Sequence, residues 1–91
     1  MTQLRRATNG QRMTFYESLT PRQSQIVRYV IEGLNNEQIA AALSIVSGAV
    51  ANHLTVIYDK LERTGLCAEN RQLKRVELVR FFGDFFEQYT K

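Results

Sequence analysis

Residues 34–62, LNNEQIAAALSIVSGAVANHLTVIYDKLE, decide the fold of this chain. Asn35 lies three residues before Gln38, which is the spacing of a capping box and predicts the start of a helix. Ile39, Ala40 and Leu43 then give this helix a short apolar face, so we expect it to span about 36–43. The alanines at 40–42 have small side chains that allow another helix to approach closely.

A second helix is predicted after a break at residues 44–46. Ser47 is the expected N-cap, and the helix should run over about 47–62. Its apolar residues recur at i, i+4, i+7 and i+11, as a single buried stripe requires; they are Val50, Leu54, Ile57 and Leu61. A short helix, a break of three residues and a longer helix have the spacing of a helix-turn-helix unit.

Two further helices flank this pair. Thr20 as N-cap and Pro21 at the first helical position start one helix, which Gly33 ends, so it should span about 21–32. The last helix should cover about 70–88 and is rich in apolar residues. Because no segment alternates apolar and polar residues as a strand does, we predict an all-α fold of four helices.

The first 18 residues are polar and contain three arginines, Arg5, Arg6 and Arg12. We interpret 1–18 as a flexible basic N-terminal arm, with Phe15 and Tyr16 docking its end on the domain. Residues 19–91 then form one helix-turn-helix domain that includes the last helix.

Length and composition limit the function of this chain. It has 91 residues, 12 basic and 9 acidic, with a formal net charge of +3, which permits a polyanionic partner without requiring one. It has no apolar run long enough for a membrane span and no signal-peptide pattern at the N-terminus. One Cys and one His make an internal disulfide impossible and a zinc site improbable. These features predict a cytoplasmic protein with no metal, no cofactor and no membrane partner.

A longer pattern runs through the predicted helices. It consists of Leu19-Thr-Pro-Arg-Gln, Ile26-Val27, Glu32-Gly33-Leu34-Asn35-Asn36, Glu37-Gln38-Ile39-Ala40, Leu43-Ser44-Ile45, Gly48, Val50, His53-Leu54, Ile57-Tyr58 and Lys60-Leu61. Together these residues resemble the LuxR-type (FixJ/GerE-like) DNA-binding domain over about 19–82. The resemblance implies a four-helix domain in which 47–62 is the recognition helix and the last helix carries the dimer contact. It also implies a role in transcription regulation.

The sequence departs from the family pattern in ways that reduce positive charge. The family usually has Glu at the position of Gln23, and commonly Ser, Thr and Lys at the positions of Val46, Ala49 and Ala51. The position of Asp59 is more often basic. Since DNA-binding proteins draw much of their affinity from neutralising phosphates, these departures predict weak electrostatic binding by the recognition helix.

The candidate DNA contacts fall into two groups. Asn52 can pair with adenine, and Thr55 or Val56 can contact a thymine methyl group, with Ser47 and Ala51 on the same outer face. The candidate phosphate contacts are Lys60, which the resemblance suggests, and Arg22 and Asn36 near helix N-termini. The arginines of the N-terminal arm can also enter the minor groove.

Other candidate sites lie outside this face. His53 matches the family's histidine, and we interpret it as a packing residue. We interpret Cys67 by default as a structural thiol; if it is exposed, it is a candidate redox-sensitive thiol or intersubunit disulfide. We expect the aromatic end of the last helix to form a homodimer interface, because it would otherwise expose a large apolar patch. That interface comprises Leu78, Phe81, Phe82, Phe85, Phe86 and Tyr89.

We therefore expect a stand-alone, dimeric, sequence-specific transcription regulator that binds double-stranded DNA. The alternative is a protein-interaction module of the same fold that docks RNA polymerase or another regulator without specific DNA binding. Salt-dependent binding to duplex DNA distinguishes the two. We predict no enzymatic activity, since no convergent set of catalytic residues is evident, and RNA binding is disfavoured because the aromatic residues lie in an apolar helix.

Overall fold

The computed structural model describes residues 9–64 and 71–83, and these ranges contain helices and no strand. The all-α prediction is therefore confirmed, and each of the four predicted helices is present. A fifth helix precedes them. In chain order, the helices are α1 (Asn9–Ser18), α2 (Pro21–Ile31), α3 (Asn36–Leu43), α4 (Ser47–Arg63) and α5 (Arg71–Phe82).

Helix α1 replaces much of the arm that we expected to be flexible up to residue 18. Its Phe15 is fully buried and packs on Phe82 of α5, with ring centroids 4.8 Å apart. An isolated helix of this length is marginal in water, so burial of Phe15 and Tyr16 is what stabilises it. Helix α1 thus packs against the rest of the fold, at least from Gln11 onwards. Arg5 and Arg6 lie outside the described residues, and Arg12 is half-buried in α1.

Helix α2 begins and ends as the sequence predicts. Thr20 accepts a hydrogen bond from the Gln23 backbone N–H at 3.1 Å, and Gln23 Oε1 accepts one from the Thr20 N–H at 3.0 Å. This reciprocal pair is a capping box, with Pro21 at the first helical position. At the other end, Gly33 has a φ of +94°, and the Leu34 N–H donates to the Tyr29 carbonyl, as in a Schellman motif.

The turn between α3 and α4 sets the angle of the helix-turn-helix unit. Helix α3 starts with the predicted capping box of Asn35 and Gln38, and it ends at Ser44, whose backbone is left-handed. The Ile45 N–H then donates to the Ala40 carbonyl at 3.0 Å. Helix α4 leaves this turn at 108° to α3, within the range of helix-turn-helix units.

The N-terminus of α4 differs from the prediction by one residue. We expected Ser47 to be the N-cap, but Val46 holds that position and no side chain caps the helix. Ser47 is already helical and is exposed. Because a valine side chain accepts no hydrogen bond, the first turn of α4 lacks a protein side chain for its free N–H groups.

All five helices contribute to a single core. The predicted stripe of α4 is confirmed, since all four of its apolar residues are buried. The buried apolar residues are Phe15, Tyr16, Leu19, Ile26, Val27, Val30, Ile39, Ala40, Val50, Leu54, Ile57, Tyr58, Leu61, Leu78 and Phe82. The outer face of α4 is left free by this packing.

Helix α5 uses part of the predicted dimer interface inside the chain. Leu78 and Phe82 are fully buried in the chain's own core, so neither has free surface to offer a second subunit. The apolar residues that α5 does expose are Val76 (50%) and Val79 (42%). The side chain of Phe81 and the whole of Phe85, Phe86, Tyr89 and Cys67 lie outside the described residues.

Within residues 9–64 and 71–83, no single helix is both long and apolar enough to cross a bilayer. Only α3 and α4 taken together reach that length and composition, and they are sharply bent relative to each other.

Candidate nucleic-acid interface

The outer face of α4 is polar at its centre and apolar at one edge. Asn52, Thr55 and Asp59 are exposed there, because the buried stripe occupies the opposite side of the helix. Val56 is 44% exposed at the edge of this face, and Ala51 is half-buried. The structure thus places Ser47, Asn52, Thr55 and Val56 on accessible surface, as a helix that enters a DNA groove requires.

Thr55 has a defined side-chain orientation. Its hydroxyl donates a hydrogen bond to the Ala51 carbonyl at 3.1 Å, one helical turn earlier. A threonine that bonds back to its own helix uses its hydroxyl hydrogen locally. Its methyl group is then the part best suited to contact an apolar atom of a partner.

A shallow groove runs along one side of α4, between this helix and the start of α2. Its lining residues are Gln23 of α2 and Ala49, Asn52, His53 and Val56 of α4. His53 is half-buried there and helps to form the wall of the groove. The groove therefore combines the amide of Asn52 with the apolar surface of Ala49 and Val56.

The charges of α4 cancel. Helix α4 ends one residue later than predicted, so it carries Asp59, Lys60, Glu62 and Arg63, two negative and two positive charges. Asp59 and Arg63 form an ion pair at 2.9 Å, one turn apart, with both side chains largely exposed. Helix α4 thus provides no net positive charge that could attract phosphates.

The three predicted phosphate contacts have different environments. Lys60 is half-buried, and its ammonium donates to the Ser18 carbonyl and, at 2.7 Å, to Gln23 Oε1. Asn36 is also half-buried, and its Oδ1 accepts from Arg75 of α5 at 3.1 Å. Arg22 is exposed at the start of α2. Two of the three side chains are thus engaged within the chain.

Sequence reasoning did not predict Gln23 and Arg75 as partners. In the sequence, Gln23 is distinguished only as a departure from the family's glutamate, and nothing distinguishes Arg75. Arg75 also donates to the Leu34 carbonyl, so it fastens α5 to the loop before α3. No pattern along the chain indicates these contacts, because each joins residues that are far apart in sequence.

No metal site is evident in the part of the chain that the structure describes. Its His, Asp and Glu side chains form no group of three placed to hold a metal ion.

The arrangement of α2, α3 and α4, with a steep turn between α3 and α4 and an exposed face on α4, defines a helix-turn-helix protein. The family model of the luxR family of bacterial regulatory proteins (GerE) matches residues 17–69, more than half of the chain. The chain therefore belongs to the luxR family of bacterial regulatory proteins. The match includes α2, α3 and α4 and the last two residues of α1.

Several curated relatives share this region. The chain is 45% identical over 53 residues to an HTH-type transcriptional regulator in the exeN 3' region of Aeromonas salmonicida, covering 58% of this chain and 26% of that protein. It is 43% identical over 44 residues to the transcriptional regulatory protein DesR of Bacillus subtilis, covering 48% and 22%. An HTH-type transcriptional regulator of Mycobacterium tuberculosis is 48% identical over 44 residues, with 48% and 5% covered.

The chain thus spans about a quarter or less of the length of these relatives. No solved structure matches the chain significantly.

Proposed function

We propose that this chain binds double-stranded DNA as a cytoplasmic transcription regulator, with α4 in the major groove. The observation that carries the proposal is the exposed face of α4, which leaves the turn at 108° to α3 and presents Asn52, Thr55 and Val56 to solvent. An α-helix presented in this way fits the major groove of B-DNA. The names of the relatives, all transcriptional regulators, support the same function.

Base selection is assigned to the central residues of this face. The Asn52 amide can donate to adenine N7 and accept from its N6 amino group, a bidentate pairing that distinguishes adenine from the other bases. The methyl groups of Thr55 and Val56 suit a neighbouring thymine methyl. Ser47 and Ala51 lie on the same side, at the start of the helix. Together, these residues favour a site that contains A·T pairs.

Phosphate contacts are assigned mainly to Arg22. It is exposed at the N-terminus of α2, where a helix also attracts anions. Since the charges of α4 cancel, each subunit is expected to neutralise few phosphates. The affinity for duplex DNA should then depend less on salt than that of a strongly basic helix-turn-helix protein.

We further propose that two copies associate through α5. Val76 and Val79 are exposed on this helix and give it an apolar surface that a second copy can cover. A two-fold dimer would place two α4 helices about 34 Å apart, one turn of DNA, and would require an operator with two-fold symmetry. Analytical ultracentrifugation of Val76→Lys tests this interface, and a dimer that persists unchanged would exclude it.

A mobility shift with genomic fragments, repeated with Asn52→Ala, tests DNA binding. The wild type should shift specific fragments, and Asn52→Ala should lose about 1–3 kcal/mol of discrimination at one base pair. Thr14→Ala, an exposed change on α1, is the control and should leave the shift unchanged. Equal selectivity in the Asn52→Ala variant would show that α4 does not read bases through this residue.

A second candidate function is protein docking through the same face. It is favoured by the exposure of Val46 (73%) and Val56 and by the zero net charge of α4. The partner would then be RNA polymerase or another regulator. A chain that ignores duplex DNA at low salt and binds one of these proteins, with Val56→Asp abolishing the contact, would establish this function instead.

A further inference from the structure

Three helices meet at the ammonium group of Lys60. This α4 side chain donates to the carbonyl of Ser18, the last residue of α1, and to Oε1 of Gln23 in the first turn of α2. We call the set Ser18, Thr20, Gln23 and Lys60 the Lys60 junction. An ammonium has three hydrogens, and two of them are used here.

Gln23 connects the Lys60 junction to the start of α2. Its Oε1 accepts from the Thr20 backbone N–H at 3.0 Å as well as from Lys60 at 2.7 Å. A carbonyl oxygen has two lone pairs, so both are occupied. Gln23 is itself buried, which restricts the positions that its amide can take. Lys60 therefore bonds to an atom that the capping box already fixes.

The acceptors in the Lys60 junction are neutral oxygens. The neighbouring acid on α4, Asp59, pairs with Arg63. The two hydrogen bonds to α1 and α2 therefore hold the Lys60 ammonium in place. Hydrogen bonds from a charged donor such as this one are short and strong. These two bonds leave the ammonium one hydrogen for any other acceptor, and a phosphate contact that drew it out of the junction would break both.

We propose that Lys60 is a positioning residue, which fixes the angle of α4 relative to α1 and α2, and that it does not serve as a phosphate contact. This inference rests on the proposed function of DNA binding. The exposed Arg22 and the base-facing Asn52 lie on two different helices, α2 and α4. Both can engage one duplex only if the two helices keep a fixed relation, and Lys60 bonds directly between them.

Helix α1 gains a role from this contact. Only its last two residues fall within the family match, yet its terminal carbonyl is one of the two acceptors of Lys60. One turn further along, at the C-cap of α4, Gln11 of α1 donates to the Thr64 carbonyl at 3.0 Å. Helix α1 therefore contacts α4 at two points, and the orientation of the recognition helix depends on a segment that lies mostly outside the shared family domain.

The test compares Lys60→Met with Arg22→Met on two duplexes: the best sequence selected by the wild type from a random pool, and a shuffled version of it. Lys60→Met should weaken binding to the selected duplex about tenfold and leave binding to the shuffled duplex unchanged. The dependence of affinity on salt should not change. Arg22→Met should weaken binding to both duplexes equally and lower the slope of log K against log salt by about 0.9.

The opposite pattern would overturn the proposal. If Lys60→Met weakens binding to both duplexes equally and lowers the slope of log K against log salt by about 0.9, Lys60 is a phosphate contact. The methionine side chain retains the apolar stem of lysine, so that lost packing does not dominate the result.

A second measurement needs no DNA. A double-mutant cycle in melting temperature with Lys60→Met and Gln23→Met isolates their mutual contact from the loss of the capping box. Lys60→Met alone should lower the melting temperature by about 5 °C, and the two changes should not add. Additive changes would exclude the contact. If the wild type binds no duplex, the proposed function fails, and the melting cycle still decides whether Lys60 holds α4.

Discussion

The two helices on either side of the turn begin in opposite ways. Helix α3 starts with a capping box. The Asn35 side chain accepts a hydrogen bond from the Gln38 N–H, and the Gln38 side chain accepts one from the Asn35 N–H. Helix α4 starts with Val46, which is mostly exposed and caps nothing. The first helix is satisfied within the chain, while the second leaves polar groups available at the surface. This difference suits α3 to a supporting role within the chain and α4 to contact with a partner.

The largest expected effect is on the free energy of unfolding. It is expected from a comparison of a buried apolar residue near the start of α3 with an exposed one at the start of α4. Ile39 in α3 is fully buried, and Ile39→Ala should lower the free energy of unfolding by about 2–4 kcal/mol, through lost burial and a cavity. Val46→Ala should change it by no more than about 0.5 kcal/mol. Urea unfolding followed by circular dichroism measures both, and equal losses would contradict the contrast.

An intermediate effect is expected from removing the cap of α3. Asn35→Ala deletes the acceptor for the Gln38 N–H and should cost about 1 kcal/mol. Asn35→Ser, which can still cap, is the matched control and should retain most of the stability. Thermal melting compares the two variants. A melting temperature that Asn35→Ala leaves unchanged would show that the capping box of α3 contributes nothing.

The smallest effect comes from giving α4 the cap that it lacks. Val46→Ser places a hydroxyl where it can accept from the first-turn N–H groups and should stabilise the fold by about 0.5–1 kcal/mol. Val76→Ser, at a half-exposed position inside α5, serves as the control and should not stabilise it. The same unfolding assay separates them. A destabilised Val46→Ser would mean that the α4 terminus is already satisfied by another route.

Local sequence signals predicted the helix-turn-helix unit well. The Thr20 N-cap and the Gly33 end of α2, the capping box of α3 and the buried stripe of α4 depend on residues within a few positions of one another. The start of α4 was misplaced by one residue, since Ser47 has the preferred chemistry of a cap while Val46 has its position. A residue's preference for the N-cap position does not determine which residue occupies it, because the geometry of the preceding turn does.

Long-range contacts account for what the sequence did not predict. Helix α1 forms because Phe15 packs against Phe82, and the polar sequence around Phe15 does not indicate this distant partner. For the same reason, Leu78 and Phe82 were assigned to an interface between subunits when they fill the core of one. Lys60 was assigned to DNA from its family position, and only the folded chain shows Ser18 and Gln23 beside it.

The Phe15–Phe82 contact also has a kinetic consequence. It joins the first described helix to the last, so its formation closes a long loop, whereas α2, α3 and α4 associate through nearer residues. The central helices should therefore assemble early in folding and the two terminal ones afterwards. Stopped-flow measurements on Phe15→Leu should then show faster unfolding with an almost unchanged rate of folding.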